Sequence, residues 1–305
     1  MRILLFMAVL FFQIPALQSP AIEAPAPEAD ISVNVNLVNV LFTVSDRKGR
    51  FVTSLPMNQF RVFEDNKPQP ITHFSSETDL PLTVALLIDT SGSVGDKLVF
   101  ERQAAIGFLK SAIRKKMDKA LLFAFDTHVH LLQDYTDDAN ALSLAAETIR
   151  AGGSTSIYDA VNLAASEKLA NQAGRHIMIL ISDGNDTFSV KSIDEALRSA
   201  QQSDTAIYCI STNSILKNSS RDTANGNKAL RRLAEETGGR LFLPLSTDEL
   251  SGNFKKIDEE LRSQYALTYH PNAKQDGAFH RIRIEANDRQ LRIQARNGYF
   301  AAQQN

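Results

Sequence analysis

The stretch Leu82–Val94, LTVALLIDTSGSV, constrains the fold of this chain more than any other segment. An apolar run ends there abruptly in Asp89, Ser91 and Ser93, which are spaced two residues apart. So uniform a run predicts a central parallel strand that is covered on both faces. Ligands of α/β sheets bind just beyond the carboxyl ends of such strands. Carboxylate and hydroxyl oxygens are ligands that a hard cation such as Mg²⁺ prefers, so the stretch predicts a metal-binding sheet edge.

The chain has 305 residues, of which 43% are hydrophobic, enough for one large core or two domains. A net charge of −2 with dispersed signs gives no electrostatic basis for binding nucleic acid. Residues 1–18 join a basic start at Arg2 to a short apolar core, which is typical of a secretory signal peptide. We therefore expect an exported protein, periplasmic or secreted, without a membrane span after signal cleavage. An uncleaved N-terminal anchor is the alternative. A single cysteine, Cys209, excludes an internal disulfide.

The patterning along the chain predicts an α/β domain inserted into a split β-sandwich. Residues 19–30 are rich in Pro and Ala and are expected to form a disordered spacer. Residues 31–79 alternate in period two, beginning with a strand at Ile31–Leu37, and predict the N-terminal half of the sandwich. Residues 80–262 alternate strand and helix signals, which indicates a doubly wound sheet. Residues 263–301 return to β patterning and would complete the sandwich, because neither half has enough strands to stand alone.

Some local signals are specific enough to be checked one by one. The segment Asp126–His128 is short enough for a tight turn, so Val129–Gln133 is expected to be an antiparallel edge strand. A turn is expected at Asp65-Asn-Lys-Pro68 and a helix at Lys228–Thr237.

An octahedral metal site needs more oxygens than the first loop provides, and two further loops are expected at the same sheet edge. Gly152-Gly-Ser-Thr155 has paired glycines that let the backbone approach closely. Ile181-Ser-Asp183-Gly184 ends an apolar strand in a second carboxylate before a glycine turn.

The three loops together resemble the metal-ion-dependent adhesion site of a von Willebrand factor type A (VWA) domain, over about residues 80–262. The resemblance implies a Rossmann-like VWA fold and a site for Mg²⁺, with Mn²⁺ or Ca²⁺ as alternatives, formed by Asp89, Ser91, Ser93, Thr155 and Asp183. It also implies that a Glu or Asp carboxylate from a protein partner fills an open coordination position. The flanking strands, including Gln264-Tyr-Ala-Leu and Arg296-Asn-Gly-Tyr299, resemble the VWFA-related family of exported acidobacterial proteins.

Structural roles are the main alternative for these residues. Asp89, Ser91 and Ser93 are residue types that also dominate turns and helix N-caps. Asp159 and Asp186 lie near the three loops in the sequence, and we interpret them as helix-start and loop carboxylates rather than ligands.

Two enzyme-like interpretations fail on spacing. The nucleophile elbow G-x-S-x-G does not occur around Ser93, and His176 would lie at the opposite sheet edge. Gly152-Gly153 lacks the G-x-G-x-x-G spacing of dinucleotide sites, and no phosphate-binding P-loop motif occurs. The sequence therefore predicts a non-enzymatic binding protein without catalytic residues, which acts by Mg²⁺-dependent adhesion or protein binding. The alternative is a structural or assembly subunit of the cell envelope whose metal site is vestigial. The sequence assigns neither a named partner nor an oligomeric state.

Overall fold

The computed structural model of the protein describes residues 37–76, 80–92, 98–213, 221–272 and 276–301. The expected signal peptide, the spacer and nearly all of the strand Ile31–Leu37 lie outside the described residues and stay predictions. Ser93, the third residue of the first loop, also lies outside them. The domain boundaries proposed from the sequence likewise stay predictions.

The described elements alternate as the sequence pattern predicts. The strands are β1 (Val38–Ser45), β2 (Phe60–Glu64), β3 (Lys67–Gln69), β4 (Ile71–Ser75), β5 (Leu82–Asp89), β6 (Lys119–Phe125), β7 (Val129–Thr136), β8 (Arg175–Ser182), β9 (Thr205–Ser211), β10 (Leu241–Phe242), β11 (Gln264–Tyr269), β12 (Phe279–Ala286), β13 (Arg292–Ala295) and β14 (Gly298–Phe300). The helices are α1 (Leu98–Ala112), α2 (Ala139–Glu147), α3 (Ile157–Leu163), α4 (Ile193–Gln202), α5 (Arg221–Thr237) and α6 (Thr247–Arg262). Of the described helices, none combines the length and apolar character needed to cross a membrane.

The central sheet has six strands in the order β10-β9-β8-β5-β6-β7. Strand β7 pairs antiparallel to β6 at the edge, which confirms the prediction from the tight turn. Every residue of β5 is buried, as a strand covered on both faces requires. Val84, Leu86 and Ile88 pack with α1, α2 and α6, whereas Ala85 and Leu87 pack with α3, α4 and α5. The sheet is therefore the middle layer of an α/β/α arrangement.

Strands from both ends of the chain form two further antiparallel sheets. Their orders are β13-β1-β11-β4 and β14-β12-β2-β3, so each sheet mixes N-terminal and C-terminal strands. The two sheets share one apolar core, in which Phe42 of β1 stacks on Tyr265 of β11 and meets the edge of Phe60 from β2. This arrangement agrees with the prediction that neither set of strands stands alone.

The turn expected at Asp65-Asn-Lys-Pro68 is shorter than predicted. Asp65 and Asn66 have positive φ angles of 48° and 65°, and they alone form the turn. Strand β3 begins at Lys67 and includes Pro68, at the edge of its sheet. Edge strands tolerate proline because one side of the strand needs no backbone donor. The proline signal was therefore interpreted too strongly.

The helix expected at Lys228–Thr237 is longer than predicted, because α5 begins at Arg221. Gly226 argues against a helix in the sequence, since glycine has a low helix propensity. In the structure a Cβ at Gly226 would lie 2.3 Å from the backbone oxygen of Asp183. The glycine allows α5 to approach the loop after β8, a tertiary requirement that local propensity does not report.

Candidate metal site

The first loop starts from Asp89, the last residue of the buried strand β5. In the sheet register Asp89 lies opposite Phe125, and the preceding residue, Ile88, lies opposite Ile181 of β8. The Asp89 carboxylate is fully buried and accepts hydrogen bonds from Ser91 and Ser182. The Ser91 N–H donates to Oδ1 at 2.9 Å, and the Ser182 hydroxyl donates to Oδ2 at 2.5 Å. These bonds fix the orientation of the carboxylate at the carboxyl edge of the sheet.

The electrostatic environment of Asp89 disfavours its charged form. Burial raises the pKa of the Asp89 carboxyl to about 6, and hydrogen bonds from Ser182 and Ser91 only partly oppose this effect. The nearby Asp183 carboxylate raises the pKa of Asp89 further. Within the described part of the chain, Asp89 forms no ion pair with a Lys or Arg side chain. A cation bound beside these two carboxylates would remove the penalty.

The second loop, Gly152–Thr155, is joined to the first by backbone hydrogen bonds. The Gly152 N–H donates to the Thr90 oxygen at 2.7 Å, and the Gly92 N–H donates to the Gly153 oxygen at 3.2 Å. Gly153 has a φ of 79°, and a Cβ there would lie 2.9 Å from Thr127 Oγ1. Gly153 therefore permits the close approach that the sequence predicted, whereas a Cβ at Gly152 would meet nothing within 4 Å.

Thr155 lies at the end of this loop and is 5% exposed. Its backbone N–H donates to Thr187 Oγ1 at 3.0 Å, which ties the second loop to the third. In the residues that the structure describes, no hydrogen-bond partner occupies the Thr155 hydroxyl. Its oxygen is therefore available to a ligand.

The third loop follows β8 and begins at the half-buried Asp183. The Asn185 N–H donates to Asp183 Oδ1 at 2.9 Å, and the Asn213 side-chain amide donates to the Asp183 backbone oxygen at 2.5 Å. Gly184 has a φ of 83°, and a Cβ there would lie 2.3 Å from the Gly226 oxygen. The turn and α5 thus hold Asp183 near Asp89.

The residues present fit a hard divalent cation. The expected donors are carboxylate oxygens of Asp89 and Asp183 and hydroxyl oxygens of Ser91 and Thr155, without sulfur or nitrogen. Three or more His, Cys, Asp or Glu side chains cluster nowhere in the described ranges. The expected site is not such a cluster, because only two of its ligands, Asp89 and Asp183, are acidic and the others are hydroxyl groups. The structure thus links the loops of Asp89, Ser91, Thr155 and Asp183, and their assignment as ligands stays a prediction, as does that of Ser93.

Ser182 is a positioning residue that sequence reasoning missed. Its hydroxyl donates to Asp89 and accepts the Gly184 N–H at 3.0 Å, so it connects two of the three loops. The signal was present in the sequence as a serine at the carboxyl end of an apolar strand, directly before Asp183. Only the sheet register, however, places β8 beside β5.

Asp186 and Asp159 hold the loops in place. The Asp186 carboxylate accepts the Ile157 N–H at 2.8 Å and so caps the start of α3. The Asp159 carboxylate accepts the N–H groups of Val190 and Lys191 at 3.0 and 2.8 Å. His176 lies near the start of β8, where its ring contacts the Ser203 and Gln172 oxygens at 2.6 and 2.9 Å. These contacts agree with the structural roles that the sequence suggested.

Comparison with known proteins identifies the family. The model of the von Willebrand factor type A domain matches residues 83–256, more than half of the chain. The chain therefore belongs to the VWA domain family. Among curated proteins, none matches the sequence.

Comparison with solved structures gives three examples of similarity. The vWF domain of the type V pili tip protein Mfa5 from Porphyromonas gingivalis has a TM-score of 0.50 and 14% identity, covering 60% of this chain and 95% of that one. Proximal thread matrix protein 1 from the mussel byssus, with a zinc-occupied MIDAS motif, has a TM-score of 0.50 and 15% identity. That match covers 65% of this chain but only 50% of the mussel chain. BatB from Bacteroides thetaiotaomicron has a TM-score of 0.47 and 16% identity, covering 60% of this chain and 100% of that one. At these identities the likeness concerns the fold alone.

Proposed function

We propose that this protein is an exported, non-enzymatic binding protein that captures a protein partner through a divalent cation. Mg²⁺ is the expected ion, with Mn²⁺ or Ca²⁺ as alternatives. A Glu or Asp carboxylate of the partner would complete its coordination. The proposal joins the VWA family membership of the chain to the chemistry of the three loops at the sheet edge.

One observation carries this proposal. The buried Asp89 carboxylate lies near the Asp183 carboxylate, where burial and like charge raise the pKa of Asp89 to about 6. A buried charge of this kind destabilises a fold unless a counter-charge neutralises it. Two carboxylates balance the charge of a divalent cation, and the Ser91 and Thr155 hydroxyls add neutral oxygen donors.

The residues of the site have distinct roles in this proposal. Asp89 and Asp183 would hold the ion by charge, while Ser91 and Thr155 would contribute hydroxyl oxygens. Ser182 orients Asp89 by its 2.5 Å hydrogen bond. A bound divalent ion supplies a positive centre that attracts an anionic oxygen of the partner.

Two solved structures of similar fold are consistent with metal binding and with an adhesive or assembly role. The mussel protein is described with zinc in its MIDAS motif, and the Porphyromonas protein is a pilus tip protein. An adhesive or assembly role for this chain is consistent with both, and the expected signal peptide supports export.

Titration calorimetry with Mg²⁺ tests the site directly. Wild-type protein should bind one ion, and Asp89→Asn should weaken binding at least about 100-fold. Asp126→Asn is the matched control. Asp126 lies in the loop after β6 at the same sheet edge, but its carboxylate accepts the His128 N–H and is outside the expected ligand set.

Equal heats for wild type and Asp89→Asn would contradict the proposal and favour the assembly subunit with a vestigial site. If Asp126→Asn weakened Mg²⁺ binding as strongly as Asp89→Asn, the ligand assignment would be wrong. Capture of an envelope protein that persists in EDTA would count against a cation bridge.

A further inference from the structure

The loop between β8 and α4, residues 183–192, carries two exposed apolar side chains. Phe188 is 53% exposed and Val190 is 88% exposed. The same loop begins with Asp183, one of the expected metal ligands. The Phe188 N–H also donates to the backbone oxygen of Thr155 at 3.0 Å. The two side chains therefore lie on a loop that contains one expected ligand, Asp183, and is hydrogen-bonded to another, Thr155.

The first part of this loop is fixed to the second site loop. The Thr187 and Phe188 N–H groups both donate to the Thr155 oxygen, at 2.9 and 3.0 Å. In return the Thr155 N–H donates to Thr187 Oγ1 at 3.0 Å. Three hydrogen bonds thus join Thr155 to Thr187 and Phe188, two through Thr187 and one through the Phe188 N–H.

The second part of the loop is fixed by two carboxylates. The Ser189 N–H and hydroxyl donate to Asp186 at 3.2 and 2.5 Å. The Val190 and Lys191 N–H groups donate to Asp159 at 3.0 and 2.8 Å. Every backbone N–H from Thr187 to Lys191 therefore has an acceptor, and the apolar side chains project from a backbone without an unpaired donor.

Because its backbone is fixed, this loop would lose little conformational entropy when a partner covers its exposed side chains. The conformational entropy of the loop is already lost on folding, so binding would not have to order it again. Large apolar side chains on such a surface lose contact with water when a partner covers them. The loop begins at Asp183 and its Phe188 N–H donates to Thr155, so the loop borders the proposed site.

We infer that Phe188 and Val190 form an apolar rim that contacts the partner, and that the partner is a polypeptide with an apolar side chain next to its metal-bound Glu or Asp. The inference rests on the proposed function, because the cation would hold the acidic residue. The rim adds selectivity, since a carboxylate alone does not distinguish one acidic peptide from another.

Two synthetic peptides test the inference in the presence of Mg²⁺. Both are acetylated and amidated tripeptides with a central glutamate, flanked by glycine in one and by leucine in the other. Their affinities for the full chain are measured by NMR titration with and without EDTA. We expect the leucine peptide to bind wild type at least about tenfold more tightly than the glycine peptide.

Variants locate the source of that preference. Phe188→Ser and Val190→Ser should each reduce it, and Phe188→Leu should retain most of it. Leu144→Ser is the matched control, because Leu144 is 68% exposed on α2, which has no part in the three site loops. Mg²⁺ affinity and thermal midpoint should stay unchanged in all four variants.

The outcomes separate the rim from the proposed function. Equal, Mg²⁺-dependent affinities for the two peptides in wild type would overturn the rim and leave the metal bridge standing. If neither peptide bound in the presence of Mg²⁺, both the rim and the metal bridge would be overturned. A leucine preference that survives in EDTA, or that Leu144→Ser abolishes as well, would also overturn the rim.

Discussion

Two buried carboxylates lie at opposite ends of strand β5, in opposite electrostatic environments: Asp89 ends the strand, and Asp118, just before β6, is bonded to its first residue. At the amino end, Asp118 accepts the Leu82 N–H at 2.9 Å and three hydrogen bonds from Arg114, at 2.8 to 3.0 Å. Burial alone would raise the pKa of the Asp118 carboxyl, but Arg114 and the backbone donors outweigh it and lower the pKa. At the carboxyl end, burial and Asp183 raise the pKa of the Asp89 carboxyl to about 6.

The two carboxylates differ in counter-charge. Asp118 is 1% exposed and Asp89 is fully buried, so both are removed from water. Asp118 has a guanidinium counter-charge from Arg114, whereas Asp89 has neutral hydrogen-bond donors from Ser91 and Ser182 and a neighbouring carboxylate, Asp183. A carboxylate whose partner is built in stabilises the fold. A buried carboxylate without a cationic side chain beside it is suited to bind a cation from solution.

At the amino end of the sheet, hydrogen bonds of the buried Arg175 join neighbouring elements. A cavity of about 70 Å³ lies there, lined by residues that include Arg175, His176 and Gln264. Arg175 donates to the Leu261 oxygen at 2.7 Å and to Gln264 Oε1 at 2.9 Å. These bonds join β8 to the end of α6 and the start of β11. We therefore assign a structural role to this end of the sheet.

The largest expected effect on stability comes from removing a charge at each end. In the presence of a chelator at neutral pH, Asp118→Asn should lower the free energy of unfolding by about 3 kcal/mol, because Arg114 loses its partner. Asp89→Asn should not lower it, because it removes a buried charge. Denaturant unfolding measures both, and an equal loss in the two variants would break the comparison.

The pH dependence of stability gives the next effect. In chelated protein the folded-state pKa of Asp89, about 6, lies above its ordinary value of 3.8. The folded state therefore holds a proton that the unfolded chain has lost between these pH values, and stability falls as pH rises through that window. In a rigid site this shift in pKa would correspond to a fall of about 3 kcal/mol in the free energy of unfolding. Because the chelated site can relax, we expect a fall of about 2 kcal/mol that levels off above pH 6.

Asp118 has the opposite sign. Its lowered pKa contributes stability that is present above its ordinary value and is lost as pH falls through the folded-state pKa. Unfolding curves of wild type and Asp89→Asn across this pH range separate the two carboxylates. A wild-type curve parallel to that of Asp89→Asn would show that Asp89 does not titrate as described.

The smallest expected effect comes from removing a single hydroxyl group at each end of the sheet. Ser182→Ala should weaken Mg²⁺ binding about tenfold, because it releases the carboxylate that it orients. Ser203→Ala is the control: Ser203 is 4% exposed, and its hydroxyl contacts the Ser199 oxygen near the amino end of the sheet. Calorimetry should show unchanged Mg²⁺ affinity in the control. A loss shared by both variants would mean that general destabilisation, not positioning, weakens the site.

Several parts of the fold and the site follow from local patterns. The bounds of β5 agree with the prediction because a uniform apolar run ends there in Asp89. The antiparallel edge position of β7 follows from the short turn before it. The three site loops were found because each has a distinctive composition at the end of an element.

Other features depend on partners that are distant in the chain. Gly226 looks like a helix breaker until the Asp183 oxygen is placed 2.3 Å from the position of its Cβ. Ser182 acquires its role from Asp89, 93 residues away. Asp159 and Asp186 acquire theirs from backbone donors about 30 residues away. Local periodicity carries no information on such contacts.

The sequence by itself determined the class of this protein, because hydrophobic periodicity and loop composition act over a few residues at a time. It specified a buried parallel strand, an α/β pattern between two β regions, and oxygen-bearing loops suited to a hard cation. Only the tertiary structure decided which buried carboxylate has a counter-charge and which does not. It also decided that the backbone of the exposed Phe188 is bonded to Thr155 and that of the exposed Val190 to Asp159. The physical reason is that burial, pKa and loop rigidity depend on groups that the fold brings together from distant parts of the chain.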